Sequence, residues 1–165
     1  MRPTMPSFRD IEELPTLVSQ RIPPEWQDLN GHVNVQYYIH LYDLAGYPVL
    51  EAFGVDADFV RVRRRGWFEL EHHVWYLREI HVGDTVTLHC RLLQRSRKRF
   101  HGVMFVANRT RLELSSVMEF ISTAADLDAR TSAAIPDDVA AQIDLQIDRD
   151  QRYRWAPPTS GTLAA

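Results

Sequence analysis

The chain has 165 residues, of which 45% are hydrophobic, 25% charged and 10% aromatic, the balance of an ordinary globular protein large enough for one core, so a single domain over 1–165 is expected. Lys and Arg number 19 against 22 Asp and Glu, a formal charge of −3, which indicates neither a nucleic-acid partner nor an acidic disordered chain. No window approaches 18 apolar residues, and the opening MRPTMPSFRDIEELP carries acids and prolines where a secretory signal carries an apolar run, so a cytoplasmic protein with no membrane partner is expected. Cys90 is the single cysteine, which excludes an intramolecular disulfide and a multi-cysteine zinc site, and its place in an alternating apolar row reads as a buried structural thiol.

Residues 1 to about 15 mix Pro3, Pro6 and Pro15 with acids and read as an irregular leader. An extended segment follows from Leu17 toward Trp26, limited by Pro23-Pro24, and then a polar turn, DLNGHVN. Val35, Tyr38, Ile39, Tyr42, Ala45, Val49 and Phe53 recur at three- and four-residue spacing, the stripe of one long amphipathic helix. Asn34 is its natural N-cap, Gly46-Tyr47-Pro48 predicts a break or kink, and Gly54 predicts the final turn's end.

The period then changes from 3.6 to 2. Trp67–Ile80, Thr85–Leu93, Phe100–Asn108 and Leu112–Thr123 are strand-like runs joined by short turns, which predicts antiparallel neighbours. Val86, Leu88, Cys90 and Leu92 alternate cleanly, so their strand is expected to face the core on one side only. Trp67, Trp75 and Leu77 are expected to share a face with Glu69, Glu71 and His73, a mixture that suggests a subunit contact and a homo-oligomer. Pro136-Asp137-Asp138 opens a helix over about Ile135–Ile147, and the residues from about 150, ending WAPPTSGTLAA, read as a frayed tail. The expected class is α+β, a curved antiparallel sheet of about five strands wrapped around the long helix.

Charge is uneven: Arg61–Arg111 holds 12 basic residues against four acidic ones. Arg61-Val62-Arg63-Arg64-Arg65 and Arg95-Ser96-Arg97-Lys98-Arg99 are the dense clusters, and each reads either as a solvated loop or as a hold for a nucleotide phosphate. Arg63, Arg64, Arg65, Arg97 and Arg99 are the candidates for that hold.

The chemistry concentrates in Asp28-Leu29-Asn30-Gly31-His32-Val33-Asn34, directly before the long helix. The first N–H groups of a helix lack internal partners and the dipole there favours negative charge, so a carbonyl oxygen under attack would be stabilised at that end. Gly31 allows close approach of backbone, Asp28 is a candidate general base or nucleophile, and Asn30 and His32 are placed to position water or substrate. The same residue types also serve simply as turn and helix caps.

The stretch EWQDLNGHVNVQYYIHLYDLAG, with YLREIHVGDTVTLHCRL later, resembles the hotdog-fold thioesterases, in the branch related to 4-hydroxybenzoyl-CoA thioesterase and the acyl-ACP thioesterases. The resemblance covers about Leu17 to Pro136 and implies cofactor-free, metal-free hydrolysis of an acyl thioester of coenzyme A or acyl carrier protein by a dimer or tetramer, with the site at the subunit interface. It assigns catalysis to Asp28, Asn30 and His32 in the plant Asp-x-Asn-x-His form, with Glu79 the nearest match to that branch's strand glutamate and Glu71 its competitor. Gly31, Val33, Asn34, Tyr38 and Glu71 are then expected to line the substrate. Asn30 stands where the benzoyl-CoA branch has its key aspartate, so a covalent aspartyl route departs from this sequence. Two rival functions fit the fold: a hydratase or dehydratase, whose motif carries a proline absent here, and an acyl-CoA-binding module without turnover.

Overall fold

A computed structural model describes residues 3–165; Met1 and Arg2, the first of the expected leader, lie outside the described residues. In chain order come α1 (Phe8–Glu12), β1 (Val18–Arg21), a 3-10 turn (Pro24–Trp26), α2 (Gln36–Ala52), α3 (Ala57–Arg63), β2 (Arg65–Tyr76), β3 (Thr85–Arg95), β4 (Arg99–Asn108), β5 (Glu113–Asp126), β6 (Thr131–Ser132) and α4 (Asp137–Asp150). The five main strands pair antiparallel in the order β1-β3-β4-β5-β2, and the short β6 adds to β5. α2 lies against the concave face and buries Tyr38, Leu41, Tyr42, Ala45 and Val49, so the 3.6-residue stripe does what its spacing predicts. This is the hotdog fold, α+β as the sequence suggested.

Several local expectations are corrected. α2 runs through Pro48 to Ala52. Proline costs one backbone bond there, but Val49 and Phe53 are buried on the far side of it, and that packing keeps the last turn helical, so the helix is not broken at Pro48. The first basic cluster is not a loop: Asp56 caps α3 by accepting from Phe59 N, and Arg64 ends it in the left-handed region at φ 52°. The leader contains α1, closed by a Ser7/Asp10 capping box, and sets Ile11 and Leu14 into the outer face of the sheet.

The tail is docked, not frayed. Tyr153 and Trp155 flank the Arg91 guanidinium, which donates to Trp155 O at 2.7 Å, and Ser160 N donates to the buried Glu119 at 2.7 Å. With α1 and the tail over the convex face, Thr87, His89 and Arg91 are buried opposite Val86, Leu88 and Leu92, so β3 is covered on both sides. Cys90 lies half-buried against the concave core, and burial pushes its thiol well up.

β2 stops at Tyr76, short of the expected Ile80, and carries a bulge between Glu69 and Glu71. A bulge adds a residue without a partner and reverses which side chains face in. Trp67, Glu69, His72 and Val74 therefore share the α2 side, while Glu71, His73 and Trp75 face outward, so the expected mixed face does not exist.

Candidate active site

The loop before α2 is a closed hydrogen-bonded turn. Asp28 N donates to His32 O at 2.9 Å, Gly31 N to Asp28 O at 3.1 Å, and Asn34 N to Trp26 O at 2.8 Å, while Gly31 adopts φ 87°. Val33 N donates to Ile80 O at 2.8 Å and ties the loop to the segment after β2. Asn34 Oδ1 accepts from Gln36 N at 3.1 Å, which gives it the capping role expected of it one residue before the helix entry. Trp26 stacks on Tyr37 at 4.7 Å and 7° between planes, fixing the loop against the first turn of α2.

This turn brings Asp28, Asn30 and His32 together. Asp28 Oδ1 accepts from Asn30 N at 2.8 Å, its Oδ2 lies 3.4 Å from Asn30 Nδ2 and 3.6 Å from His32 Nδ1, and both ionisable side chains are partly exposed. His32 Nδ1 has its nearer partner in Val33 O at 3.3 Å, which assigns the proton to Nδ1 and leaves Nε2 as an acceptor in the neutral ring. Gly31, Val33 and Asn34 N–H groups already have internal acceptors. The His32 and Val35 amides have none among the described residues, so they, and not the whole Gly31 to Asn34 backbone, are open to a ligand oxygen.

Tyr38 is buried edge-on against Tyr76 at 5.1 Å, and burial pushes its hydroxyl up to about 12. Glu79 stands exposed on the bend next to Ile80, 3.6 Å from His81, beside this wall but off the strand where the sequence put it. Glu71 is on the opposite face of the sheet from α2 and does not meet the loop. The basic residues lie elsewhere. Arg65 pairs with Asp126 at the far end of β2, about 36 Å of strand from Tyr76, and Arg63 and Arg64 pair with Asp138 and Asp128. Arg97 and Arg99 share that far end, where Lys98 O accepts from Ala124 N, and form no ion pair among the described residues.

A cavity of about 590 Å³ opens between α2 and strands β2, β4 and β5, beginning about one helical turn past the loop. Ile39, His40 and Asp43 from the helix face Trp67, Glu69 and His72 from β2 across it. The indole N–H of Trp67 is buried with no acceptor among the described residues. Glu69 accepts from Ser122 Oγ at 2.6 Å and meets His72 Nε2 at 3.1 Å. Sequence reading did not single out Glu69 or His72 as cavity residues; alternation from Trp67 already puts Glu69 inward, and the reversal at the bulge, of which strand alternation carries no sign, puts His72 inward in place of Glu71. Among the described residues no three side chains converge as metal ligands would.

The family model of the thioesterase-like superfamily matches residues 22–143. The betainyl-CoA thioesterase of Pseudomonas aeruginosa is 29% identical over 91 residues, which is 55% of this chain and 57% of that protein. An L-carnitine dehydrogenase/betainyl-CoA thioesterase of a Rhizobium species is 25% identical over 134 residues, 81% of this chain and 27% of that protein. The chain thus spans less than two thirds of the length of either relative. Among solved structures, a Staphylococcus aureus protein in complex with CoA superposes with a TM-score of 0.82 at 20% identity, covering 92% of this chain and 96% of the other. A 1,4-dihydroxy-2-naphthoyl-CoA thioesterase from Synechocystis superposes with a TM-score of 0.68 at 15% identity, covering 77% and 93%. Fold, loop geometry and a family match over most of its length agree, and the chain belongs to the thioesterase-like superfamily.

Proposed function

We propose that this chain hydrolyses acyl-CoA thioesters by water attack at the entry of α2, needing no cofactor. The observation that carries the reading is the convergence of Asp28, Asn30 and His32 in one turn beside a cavity able to hold an acyl group. The Asp28 carboxylate takes a proton from water as the water oxygen bonds to the thioester carbon, and His32 Nε2 accepts the water's other hydrogen and orients it. The carbonyl oxygen becomes an oxyanion, stabilised by the His32 and Val35 amides at the positive end of α2. The C–S bond then breaks, the electron pair leaves on sulfur, and the sulfur takes the proton held by Asp28. Asn30 fixes the Asp28 carboxylate, Gly31, Val33 and Asn34 hold the loop's shape, Tyr38 walls the site, and Glu79 supplies a second carboxylate from the neighbouring bend. The CoA esters named for the relatives favour coenzyme A over a carrier protein as the thiol carrier.

The same reading makes the protein a homo-oligomer of single-domain chains. β2 is a free edge carrying exposed Phe68 and Leu70, the kind of strand that a second copy covers. Antiparallel pairing of two such edges would bring Arg65 of one copy toward the Tyr76 end of the other, so basic residues remote from the loop in one chain would approach the partner's site and its CoA phosphates. The single thiol fits a reducing cytoplasm.

The test is thiol release from acyl-CoAs of varied length and charge, betainyl-CoA first, by the parent and by Asp28→Asn, with light scattering on the same sample. A mass at least twice the chain's 19.2 kDa and a drop in kcat of roughly 10²–10⁴ in the folded variant are expected. Full activity in Asp28→Asn would refute the base, and no cleavage of any ester would refute the function.

A further inference from the structure

We infer that the C-terminal segment from Tyr153 to Ser160 is a strap that keeps the convex face of the sheet from pairing with the same face of a second copy. The inference concerns assembly and stands whether or not the chain cleaves thioesters. Arg91 of β3, Val103 of β4 and Glu119 of β5 are register partners and form one row across that face. Two strand spacings, about 9.6 Å, separate the cation from the acid. Both are buried, at 6% and 0% exposure, and each is held by backbone of the strap. Arg91 Nη1 donates to Trp155 O at 2.7 Å, and its Nη2 lies 3.4 Å from Tyr153 O. Ser160 N donates to Glu119 Oε2 at 2.7 Å, while Glu119 Oε1 meets His101 Nε2 at 2.8 Å. Five residues span at most about 17 Å, so the stretch from Trp155 to Ser160 reaches from one charge to the other. Arg91 Nε has no acceptor among the described residues, so the strap leaves a buried cation incompletely satisfied. α1 covers the end of the face near Arg109, with which its Glu12 pairs, and the strap covers the row. A released strap would leave the fully buried Val103, Phe105 and Val117 open between two opposite charges. Such a row is self-complementary. A second copy rotated by half a turn about an axis through Val103 sets its Glu119 on Arg91 and its Arg91 on Glu119, with the apolar residues stacked between. Sheets stack about 10 Å apart, which an Arg and a Glu reaching toward each other can bridge.

The test uses the full chain. Trp155→Ala with Ser160→Pro removes the ring over Arg91 and the N–H that meets Glu119, and should loosen the strap, seen as faster trypsin cleavage at Arg152 and Arg154. Light scattering at equal concentration should then give twice the parent's mass, with far-ultraviolet circular dichroism unchanged. In this loosened chain Arg91→Glu and Glu119→Arg should each return the mass to the parent's, because like charges then face each other. An equal mixture of the two should restore the doubling. If either fails to fold, Glu119→Gln takes its place and should lower the doubled fraction several-fold at fixed concentration; an unchanged fraction overturns the pairing. A loosened strap with the parent's mass overturns the inference. So does a doubling that the charge variants leave alone, or a mass that grows without limit, since either marks unspecific apolar contact. A strap that trypsin still finds seated overturns the anchoring given to Trp155 and Ser160, and with it the inference.

Discussion

Gly102→Ala tests how closely the sheet sets the cavity wall. Gly102 lies on β4 opposite Phe120 of β5 and Leu92 of β3. An alanine Cβ there would fall 2.7 Å from Phe120 Cζ, 2.8 Å from its Cε1 and 3.0 Å from Leu92 Cδ2. Carbon atoms rest at about 3.5–4.0 Å, so the ring must retreat by roughly 1 Å. Phe120 is 2% exposed and meets Phe100 edge-on at 5.8 Å, and the open space beside it is the cavity itself. Overpacking a close-packed core by one methyl costs about 1–3 kcal/mol, or a fall of roughly 2–12 °C in Tm for a chain of this size. Thermal unfolding followed by far-ultraviolet circular dichroism reads the stability, and kcat/KM for a short and a bulky acyl-CoA reads the cavity. The bulky ester should lose more than the short one, because the displaced ring takes its space. An unchanged midpoint would refute the reasoning, since it would mean that the Phe120 ring is not held where the sheet puts it.

Two further outcomes follow from charge. Burial would raise the Asp84 carboxyl, but the His81 N–H, the Asn108 amide and the Arg111 guanidinium together hold it below the ordinary carboxylate value. Its contribution is therefore present above the unfolded value near 4 and lost as pH falls through the folded one. Burial likewise holds the His89 imidazole below its ordinary value, despite carbonyl partners at Leu14 and Pro15. The unfolded chain thus takes up a proton as pH falls past about 6.5 while the folded one does not. Urea unfolding should show stability falling from pH 7 toward 5 and again below about 4; a flat profile between pH 7 and 5 would discard the role of His89. Charge reversal at Arg97 and Arg99 together should raise KM for CoA esters, while reversal of Arg64, paired with Asp128, should change it less. Equal, unchanged KM values would discard the phosphate hold.

How much of this was legible in the chain depends on whether a feature is local. The α2 stripe from Tyr38 to Val49 and the turn chemistry of Asp28 to Asn34 are short-range patterns, and the structure carries both nearly as written, whereas the alternating β3, expected to leave one face open, is buried on both faces because α1 and the tail pack over the second. Pro48 was misread because propensity counts the lost hydrogen bond and not the burial of Val49 and Phe53 beyond it. The leader and tail were misread because composition weighs prolines and small residues, whereas Ile11, Leu14 and Trp155 are ordered by a sheet face that only exists after folding.

The candidate site divides the same way. The amino-acid order alone determined that Asp28, Asn30 and His32 would share one turn at a helix entry, since a seven-residue loop cannot keep them far apart. Which glutamate faces the cavity, and which amides remain free to meet an oxyanion, was decided by tertiary structure. One bulge after Glu69 reverses the faces of β2, and Val33 N is spent on Ile80 O, 47 residues further along the chain. Both effects come from strand pairing and backbone hydrogen bonds between distant segments, whose partners no local pattern names.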